Sequence, residues 1–505
     1  MTRPGARGHP GATDGPADGI CRPLGFRALG ERHRAFADRA FADRVLRSDH
    51  RVVAPGEHRE VGQRLIGCRR RSGRRTVGPM GNSIDHTAVD TAGGLRVRAV
   101  SEDEVPAWDR ALTLGFLRPH VDSAAEVRRR QWEPGRMLAG FDGDRQIATF
   151  RSYDAELTVP GGAVITADAI SHVTVSATHR RRGLLSTMMR RDLAAAADRG
   201  TAVAILIAAE YGIYGRFGFG PATRAAGWRV DLRRARGLRE GLPGVPGGRI
   251  DFATMAEVRE LGPGLHDRWR RTQPGAIDRD ELWWQRATGE VRVPGFDFKE
   301  PFAAVHRDAD GAVTGLVLYR IDDKWDGDYP DCTLTVTEFT ALDLPTTVEL
   351  WRFLLSVDWV ARIAVGNASP DDPLPLLLQD RRAATPHEDG SDFTWLRVLD
   401  VEAAFGARTY GGPGRVVLEV DDKLGFASGR WALDVAADGT GRCTRTVDDA
   451  DLALGASALG SLYLGAETAP RLAAAALLTE LRPGAAAAAD LLLRTPLRPW
   501  NPDMF

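Results

Sequence analysis

The sequence is poor in lysine and cysteine and has no long apolar run. Its 67 basic residues include only three lysines, a bias typical of a GC-rich genome, and its four cysteines lie far apart, without a Cys-x-x-Cys pair or a histidine cluster. This spacing argues against a zinc site, so we expect no metal. No segment approaches the roughly 20 apolar residues that cross a bilayer, and the chain does not begin with the apolar core of a signal sequence. We therefore expect a cytoplasmic protein without a membrane span.

The charge is unevenly distributed along the chain. The formal net charge of the 505 residues is -1, whereas residues 1–79 carry seventeen arginines against eight acidic residues. Glycine and proline interrupt this stretch, which shows little helical or strand periodicity. We predict that residues 1–94 are disordered or form an upstream extension, with Met80 as the true start. The alternative is an arginine-rich arm for nucleic acid. We favour the first interpretation and expect no nucleic-acid partner.

From Leu95 onward, short strands alternate with helices, which is the pattern of an α/β or α+β chain. Strands are predicted at residues 95–100, 136–141, 146–153 and 157–159, and a helix at 104–117. A turn-rich linker at 241–247 precedes a second unit, whose similar order of elements indicates a degenerate duplication. Its predicted elements are helices at 257–271 and 348–359 and strands at 303–306, 312–320 and 334–341.

The pattern changes near residue 392, where strands are followed by alanine- and leucine-rich helices. The predicted strands are 393–399, 414–420 and 429–435, and the predicted helices are 456–464, 470–481 and 485–493. Strands followed by helices indicate a separate α+β domain. The apolar spacing within these helices favours ordinary core packing over a lipid cavity.

The most informative segment is a strand, a basic loop and the beginning of a helix at 171–186. Val173 and Val175 alternate with polar residues, which predicts a half-buried strand. The run Arg180-Arg181-Arg182-Gly183 then leads into an amphipathic helix. A helix N-terminus offers unpaired N–H groups and the positive end of the helix dipole, and arginines add charge, so this loop suits a pyrophosphate. The alternative is a solvated basic turn.

A second informative segment follows directly. Residues 202–209 form a continuous apolar run, which predicts a buried strand. Four glycines then fall within the nine residues 212–220, which indicates a tight, irregular loop around Tyr214. Aromatic side chains held in such a loop can line a thioester site, whereas the alternative for Tyr214 is a packed tyrosine with a bonded hydroxyl.

Together these segments resemble the Gcn5-related N-acetyltransferase superfamily, and more specifically its enhanced-intracellular-survival (Eis) family. The superfamily loop is Arg/Gln-x-x-Gly-x-Gly/Ala, which Arg180 and Gly183 match. Leu185 departs from it at the last position but is in keeping with the Eis-type Arg-Arg-Arg-Gly-Leu-Leu. The run Ile-Tyr-Gly-Arg-Phe-Gly-Phe-Gly-Pro-Ala-Thr at 213–223 is also similar to that family.

The resemblance covers roughly residues 95–505 and implies an α/β (α+β) architecture of three domains. Two tandem acetyltransferase-like domains, at 95–240 and 248–391, precede a sterol-carrier-like domain at 392–505. Only the first keeps a cofactor loop. The resemblance also implies assembly into homohexamers.

The implied reaction is acetyl transfer from acetyl-CoA to a primary amine of a small molecule, peptide or lysine side chain. Tyr214 is implied as the general acid, and the terminal carboxylate of Phe505 as the general base. The alternatives are a longer acyl donor and a non-catalytic lipid- or protein-binding module on a relic scaffold. The residues implied to bind the cofactor are Val173, Thr174, Val175, Arg181, Arg182, Gly183, Leu184, Leu185, Ser186, Ala209 and Glu210.

Overall fold

The computed structural model describes residues 89–90 and 94–505. The rest of the predicted extension at 1–94, including the arginine-rich arm considered for it, lies outside the described residues. Val89–Asp90 forms a short strand that pairs with Arg96–Ala99, so the ordered sheet begins before Leu95.

The first part of the chain forms a mixed set of strands and helices. Its strands are β1 (Val89–Asp90), β2 (Arg96–Ala99), β3 (Met137–Asp142), β4 (Arg145–Thr158), β5 (Val164–Val175), β6 (Val203–Ile207), β7 (Gly220–Pro221) and β8 (Arg224–Asp231). Its helices are α1 (Val105–Gly115), α2 (Ala124–Arg129), α3 (Leu184–Asp198), α4 (Tyr211–Tyr214) and α5 (Leu232–Ala235). The two strands predicted at 146–153 and 157–159 are therefore one strand, β4.

The middle part repeats this alternation. Its strands are β9 (Arg249–Ala253), β10 (Phe302–Arg307), β11 (Val313–Ile321), β12 (Trp325–Asp326), β13 (Tyr329–Pro330), β14 (Cys332–Ala341), β15 (Val360–Ala368) and β16 (Ala384–Asp392). Its helices are α6 (Met255–Arg270), α7 (Glu281–Ala287), α8 (Leu344–Leu355) and α9 (Leu374–Leu377). The helix predicted at 348–359 lies at Leu344–Leu355, and it begins earlier because the Asp343 side chain caps its N-terminus.

The last part contains β17 (Thr394–Val398), β18 (Gly414–Asp421), β19 (Gly429–Val435), β20 (Gly441–Arg445), β21 (Leu452–Gly455) and β22 (Leu478–Glu480). Its helices are α10 (Val401–Ala407), α11 (Ala456–Tyr463), α12 (Ala469–Ala474) and α13 (Ala485–Leu493). The helix predicted at 470–481 is wrong beyond Ala474. Ala476 adopts a left-handed φ of 56°, and the Leu477 N–H donates to the Leu472 carbonyl, which ends α12 before β22.

Three large sheets organise these elements. The first has the order β1-β2-β3-β4-β5-β6-β17-β7, the second β16-β8-β15-β14-β11-β10-β9, and the third β20-β19-β18-β21-β22. In the first sheet, α3 packs its apolar face, including Met188, Met189 and Leu193, against Phe150 and Leu206. The spacing of these residues on one helical face explains why they form one core. The predicted strand at 202–209 is confirmed as β6, which is buried along most of its length.

The sheets exchange strands. We expected a strand at 393–399 to open the third domain, but β17 lies between β6 and β7 in the first sheet. All five of its residues are buried, which is the pattern of an interior strand covered on both faces. In return, β8 lies between β15 and β16 in the second sheet. The first two sheets therefore depend on each other for interior strands.

Within the described residues, 89–90 and 94–505, the structure contains no helix that is both long and apolar enough to cross a membrane.

Candidate active site

The neighbouring parallel strands β5 and β6 separate part of the way along the sheet. They pair from Ala167 opposite Val203 to Ile170 opposite Leu206. Beyond that point, Thr174 and Val175 pair with β4 on one side, and none of the strands that the structure describes pairs with their other side. A backbone edge left open in this way can accept an extended, amide-bearing ligand as an additional strand.

A β-bulge at His172 coincides with this separation. His172 has a left-handed φ of 55°, and the register between β4 and β5 shifts between Thr149 and Arg151. The bulge is held from both sides: the Thr149 hydroxyl donates to the His172 carbonyl at 2.8 Å, and Arg128 Nη1 lies 2.9 Å from His172 Nε2. Burial, together with Arg128, holds the pKa of His172 well below its ordinary value, so the imidazole is neutral. Bulges of this kind bend a strand away from its neighbour.

The basic loop connects the open edge to α3. Arg181 and Gly183 have left-handed φ values of 64° and 85°. The loop is anchored by His179, which is buried and lies 3.3 Å from Asp142 Oδ2 through its Nε2 atom. The side chains of Arg180, Arg181 and Arg182 are exposed. The loop therefore carries three consecutive solvent-exposed arginines.

The N-terminus of α3 has no side-chain cap. Its N-cap residue is Gly183, and the first bond of the helical ladder runs from the Thr187 N–H to the Gly183 carbonyl at 3.0 Å. The N–H groups of Leu184, Leu185 and Ser186 therefore have no acceptor within the helix. The Leu184 side chain is buried in the core beside Gly140, which fixes the helix while its backbone faces the loop.

Tyr214 follows β6 at the same end of the sheet. It is the last residue of α4, and its buried ring packs edge-on against Phe219 at 6.4 Å. Burial, with a smaller contribution from Glu210, raises the pKa of Tyr214 to about 12. Ala209 and Glu210 are exposed where β6 leaves the sheet. The hydroxyl of Tyr214 is therefore protonated throughout the neutral pH range.

The glycines around Tyr214 have a packing role that the sequence did not reveal. A Cβ on Gly218 would lie 1.5 Å from Nη1 of Arg397, which belongs to the inserted strand β17. A Cβ on Gly220 would lie 1.9 Å from the Ser457 carbonyl oxygen on α11. Only glycine permits these approaches, so the loop is tight because distant parts of the chain pack against it.

The C-terminal segment packs against both acetyltransferase-like sheets. Phe505 is half-buried, and its ring packs edge-on against Tyr153 of β4 at 6.5 Å. Tyr153 pairs with Ala169 of β5, next to the point where β5 and β6 separate. Phe505 thus contacts the strand on one side of β5, whereas Tyr214 follows the strand on its other side. Both residues therefore adjoin strands that neighbour β5 in the first sheet.

Residues not singled out from the sequence hold this segment. Arg279 Nε lies 2.9 Å from Asp503 Oδ1, and its Nη2 lies 3.0 Å from Glu338 Oε2. The Arg279 and Asp503 side chains are 1% and 4% exposed. Asn367 donates from Nδ2 to the Pro502 carbonyl at 2.9 Å. No local sequence signal identifies these contacts, because their partners are far apart along the chain.

Among residues 89–90 and 94–505, the structure shows no group of three or more histidine, cysteine, aspartate or glutamate residues placed to hold a metal ion.

Comparisons with known proteins agree with this arrangement. Residues 96–222 and 275–398 each match a family described as acetyltransferase (GNAT) domain, and residues 401–502 match the sterol carrier protein domain. An uncharacterized N-acetyltransferase of Streptomyces avermitilis is 50% identical over 418 residues, which cover 81% of this chain and 99% of that protein.

Other relatives carry a more specific name. N-acetyltransferase Eis of Mycobacterium tuberculosis is 40% identical over 331 residues, which cover 64% of this chain and 76% of that protein. The crystal structure of Eis1 from Mycobacterium abscessus superposes with a TM-score of 0.71 at 34% identity, covering 81% of this chain and all of that one. The chain has two acetyltransferase domains followed by a sterol-carrier domain, and it belongs to the Eis family of Gcn5-related N-acetyltransferases.

Proposed function

We propose that this chain transfers an acetyl group from acetyl-CoA to a primary amine of a small molecule, peptide or lysine side chain. Membership of an acetyltransferase family supports the acyl-transfer chemistry and acetyl-CoA as its donor. The observation that carries the proposal is the opening between β5 and β6, which lies directly before an uncapped helix N-terminus. The second acetyltransferase-like domain lacks this combination.

The chain offers a continuous set of groups for the donor. The open backbone edge of Val173, Thr174 and Val175 would hold the amide-bearing pantetheine arm as an added strand. The N–H groups of Leu184, Leu185 and Ser186 would then bind the pyrophosphate, with charge from Arg181 and Arg182 around Gly183. Ala209 and Glu210 would border the thioester end. Bound acetyl-CoA supplies an activated acetyl group whose leaving group is a thiolate.

Tyr214 is proposed to donate a hydrogen bond and finally a proton to that thiolate. Its pKa of about 12 lies above the usual thiol value of about 8.5, so the hydroxyl is a donor at every working pH. Because complete transfer to a thiolate is then uphill, the main effect of Tyr214 is to stabilise the charge that develops on sulfur. This role differs from that of a general acid whose pKa is close to the pKa of the thiol.

The Phe505 carboxylate is proposed to take the proton from the attacking amine, directly or through a water molecule. An α-carboxylate is a weak base, with an ordinary pKa of about 3.5, so its position must compensate for its low basicity. The half-buried Phe505 ring supports this role because packing against Tyr153 restrains the chain end beside the opening.

Two changes to the full chain test these roles. Tyr214→Phe removes the donor, and one glycine added after Phe505 moves the carboxylate. Each is expected to lower kcat by about 10²- to 10⁴-fold, the usual contribution of a positioned acid or base, with little change in KM for acetyl-CoA. Tyr211→Phe is the matched control, because Tyr211 is an exposed tyrosine on the same short helix. Thiol release with acetyl-, propionyl- and longer acyl-CoAs and a panel of amines is the measurement.

The dependence of acetyltransferase activity on pH is a second test of the role of Tyr214. An ordinary tyrosine is half-ionised near pH 10, whereas the raised pKa of Tyr214 keeps its proton up to about pH 12. Activity dependent on this proton is therefore expected to persist through pH 10 and to fall only as the pH approaches 12.

Full activity in both Tyr214→Phe and the chain extended by one glycine would show that the roles proposed for Tyr214 and Phe505 are wrong.

The finer features implied by the resemblance are also proposals. We propose a homohexameric, cytoplasmic enzyme, and the molar mass of the full chain in solution tests the first of these features.

A further inference from the structure

The second acetyltransferase-like sheet repeats the opening seen in the first. The parallel strands β14 and β15 pair from Cys332 opposite Val360 to Val336 opposite Val365. Beyond that point, β14 continues along β11, whereas the end of β15 follows β8, with Ala368 opposite Ala226. Asn367, at the register shift between β15 and β8, has a left-handed φ of 46°. The two strands therefore separate, as β5 and β6 do.

This second opening does not lead to an anion site. The helix that follows β14 is capped by Asp343, whose side chain accepts a hydrogen bond from the Thr346 N–H at 2.8 Å. Pro345, in the first turn, has no N–H to offer. A carboxylate at a helix N-terminus occupies the position that a phosphate would need. The opening between β14 and β15 is therefore not part of a phosphate-binding site.

The C-terminal segment contacts both separated strands. On the β15 side, Asn367 Nδ2 donates to the carbonyls of Pro502 and Asn501 at 2.9 and 3.3 Å. Asn367 Oδ1 in turn accepts from Trp500 Nε1 at 3.3 Å. On the β14 side, Arg279 connects Asp503 to Glu338 through hydrogen bonds of 2.9 to 3.1 Å. One buried guanidinium thus joins the segment to the strand.

The neighbouring backbone is shaped for the same segment. The Trp500 N–H donates to the Pro274 carbonyl at 2.8 Å. The next residue, Gly275, has φ +91°, and a Cβ there would lie 3.1 Å from the Trp500 nitrogen and 2.8 Å from Thr223 Cγ2. A side chain at this position would therefore press on the C-terminal segment.

We propose that the opening of the second acetyltransferase-like sheet is a binding site for residues 500–503 of the same chain. Arg279 and Asn367 are positioning residues, which fix the segment so that Phe505 reaches Tyr153 of the first sheet. The degenerate domain thereby holds a peptide where its counterpart is proposed to hold a cofactor. The consequence for catalysis rests on the proposed function, because it requires the Phe505 carboxylate to be the base.

Carboxypeptidase A, which removes the C-terminal residue of the full chain, tests whether residues 500–503 are bound. This test does not rely on acetyltransferase activity. The rate of release follows the population of chains whose C-terminal segment is undocked, when docking is fast. Mass spectrometry of the intact protein measures the loss of Phe505 with time. Arg279→Met leaves two buried carboxylates without their shared partner and is expected to accelerate release by about tenfold or more. Asn367→Ala is expected to accelerate it several-fold.

Gly275→Ala disturbs the site for residues 500–503 without changing any charge. It therefore tests the same proposal if Arg279→Met does not fold. Release is again expected to accelerate several-fold. Gly311→Ala is its matched control, because Gly311 has φ +85° and open space around its Cβ position. Arg271→Met is the control for Arg279→Met, since Arg271 makes its ion pair with Asp267 at the surface. Both controls are expected to release Phe505 at the unmodified rate.

Unchanged release in folded Asn367→Ala and Gly275→Ala proteins would overturn the binding site. Faster release accompanied by a fall in kcat at constant KM for acetyl-CoA supports both the site and the role of the carboxylate. Faster release with full kcat supports the site and contradicts the proposed base.

Discussion

The two acetyltransferase-like sheets share a plan but differ at one helix N-terminus. In each sheet two parallel strands separate, β5 from β6 and β14 from β15, and a helix follows the first strand of the pair. In the first sheet that helix begins at an uncapped Gly183, whereas in the second Asp343 caps it. The two helices therefore differ in whether their first backbone N–H groups are free for an anion, such as the proposed pyrophosphate, or are used by the chain itself.

The sheets also differ in what lies at their openings. Thr174 and Val175 have an unpaired strand edge among the described residues, whereas the second opening is contacted by the C-terminal segment through Asn367 and Arg279. In the second sheet, the opening is therefore contacted by part of the chain itself. The same fold feature can position a part of the protein instead of a ligand.

Strand exchange makes the two sheets interdependent. β17, which follows the last strand of the second sheet along the chain, lies beside β6, and β8, which follows the strands of the first sheet, lies beside β15. Each exchanged strand is thus next to the second strand of a separating pair. The geometry of one opening therefore depends on chain segments that belong, by sequence order, to the other domains.

Replacing Arg397 by Met is expected to have the largest effect on stability. Arg397, on the exchanged strand β17, forms a buried ion pair with Asp422 at 2.6 Å. Removing one partner of a buried pair costs about 3–5 kcal/mol, and the value here should be near about 3 kcal/mol because Asp422 keeps two backbone donors. The measurement is the free energy of unfolding by urea.

Arg415→Met is the control for Arg397→Met, because Arg415 forms its pair with Asp434 at the surface and exposed pairs contribute about 1 kcal/mol or less. Equal losses in the two variants would mean that β17 does not couple the first sheet to the third.

An aspartate at the N-cap of α3, like Asp343 at the N-cap of α8, is expected to abolish most acetyl-CoA binding. Asp tolerates the left-handed conformation of Gly183, and its carboxylate would accept the N–H bonds needed by a pyrophosphate. We expect Gly183→Asp to weaken acetyl-CoA binding about 100-fold, which corresponds to about 2.7 kcal/mol. Isothermal titration calorimetry measures the affinity.

Gly183→Asn is the isosteric control for Gly183→Asp, since it caps without a charge and should weaken binding by only about tenfold. Identical affinities for the two variants would show that charge at this N-terminus is irrelevant.

Much of the first sheet and of its loop could be predicted from the sequence. Val173 and Val175 alternate with polar residues, residues 202–209 are continuously apolar, and Gly183 precedes an amphipathic helix, so local pattern alone identifies strand, loop and helix. The prediction of a helix over 470–481 was wrong beyond Ala474, because Ala476 adopts a left-handed conformation and an alanine in the sequence gives no indication of this.

Contacts between distant segments could not be predicted in the same way. The sequence of β17 has the pattern of an interior strand, but nothing in it indicates which strands it pairs with. The same holds for β8, which joins the second sheet. Arg279, Asn367 and Asp503 are ordinary polar residues until the fold brings them together. Side-chain periodicity reports burial within an element, whereas the choice of partner depends on tertiary packing.

Removing the cap from the second sheet is expected to have the smallest effect and to show whether the cap alone distinguishes the sheets. Asp343→Ala loses the bond to the Thr346 N–H and should lower the free energy of unfolding by about 1 kcal/mol, whereas Asp343→Asn retains a cap and most of the stability. Neither variant should gain a second acetyl-CoA site, because Pro345 still lacks an N–H and the C-terminal segment still contacts the opening. Titration of each variant with acetyl-CoA gives the number of sites. Two sites per chain in Asp343→Ala would mean that the cap alone had closed the second domain, and that the C-terminal segment does not compete for its opening.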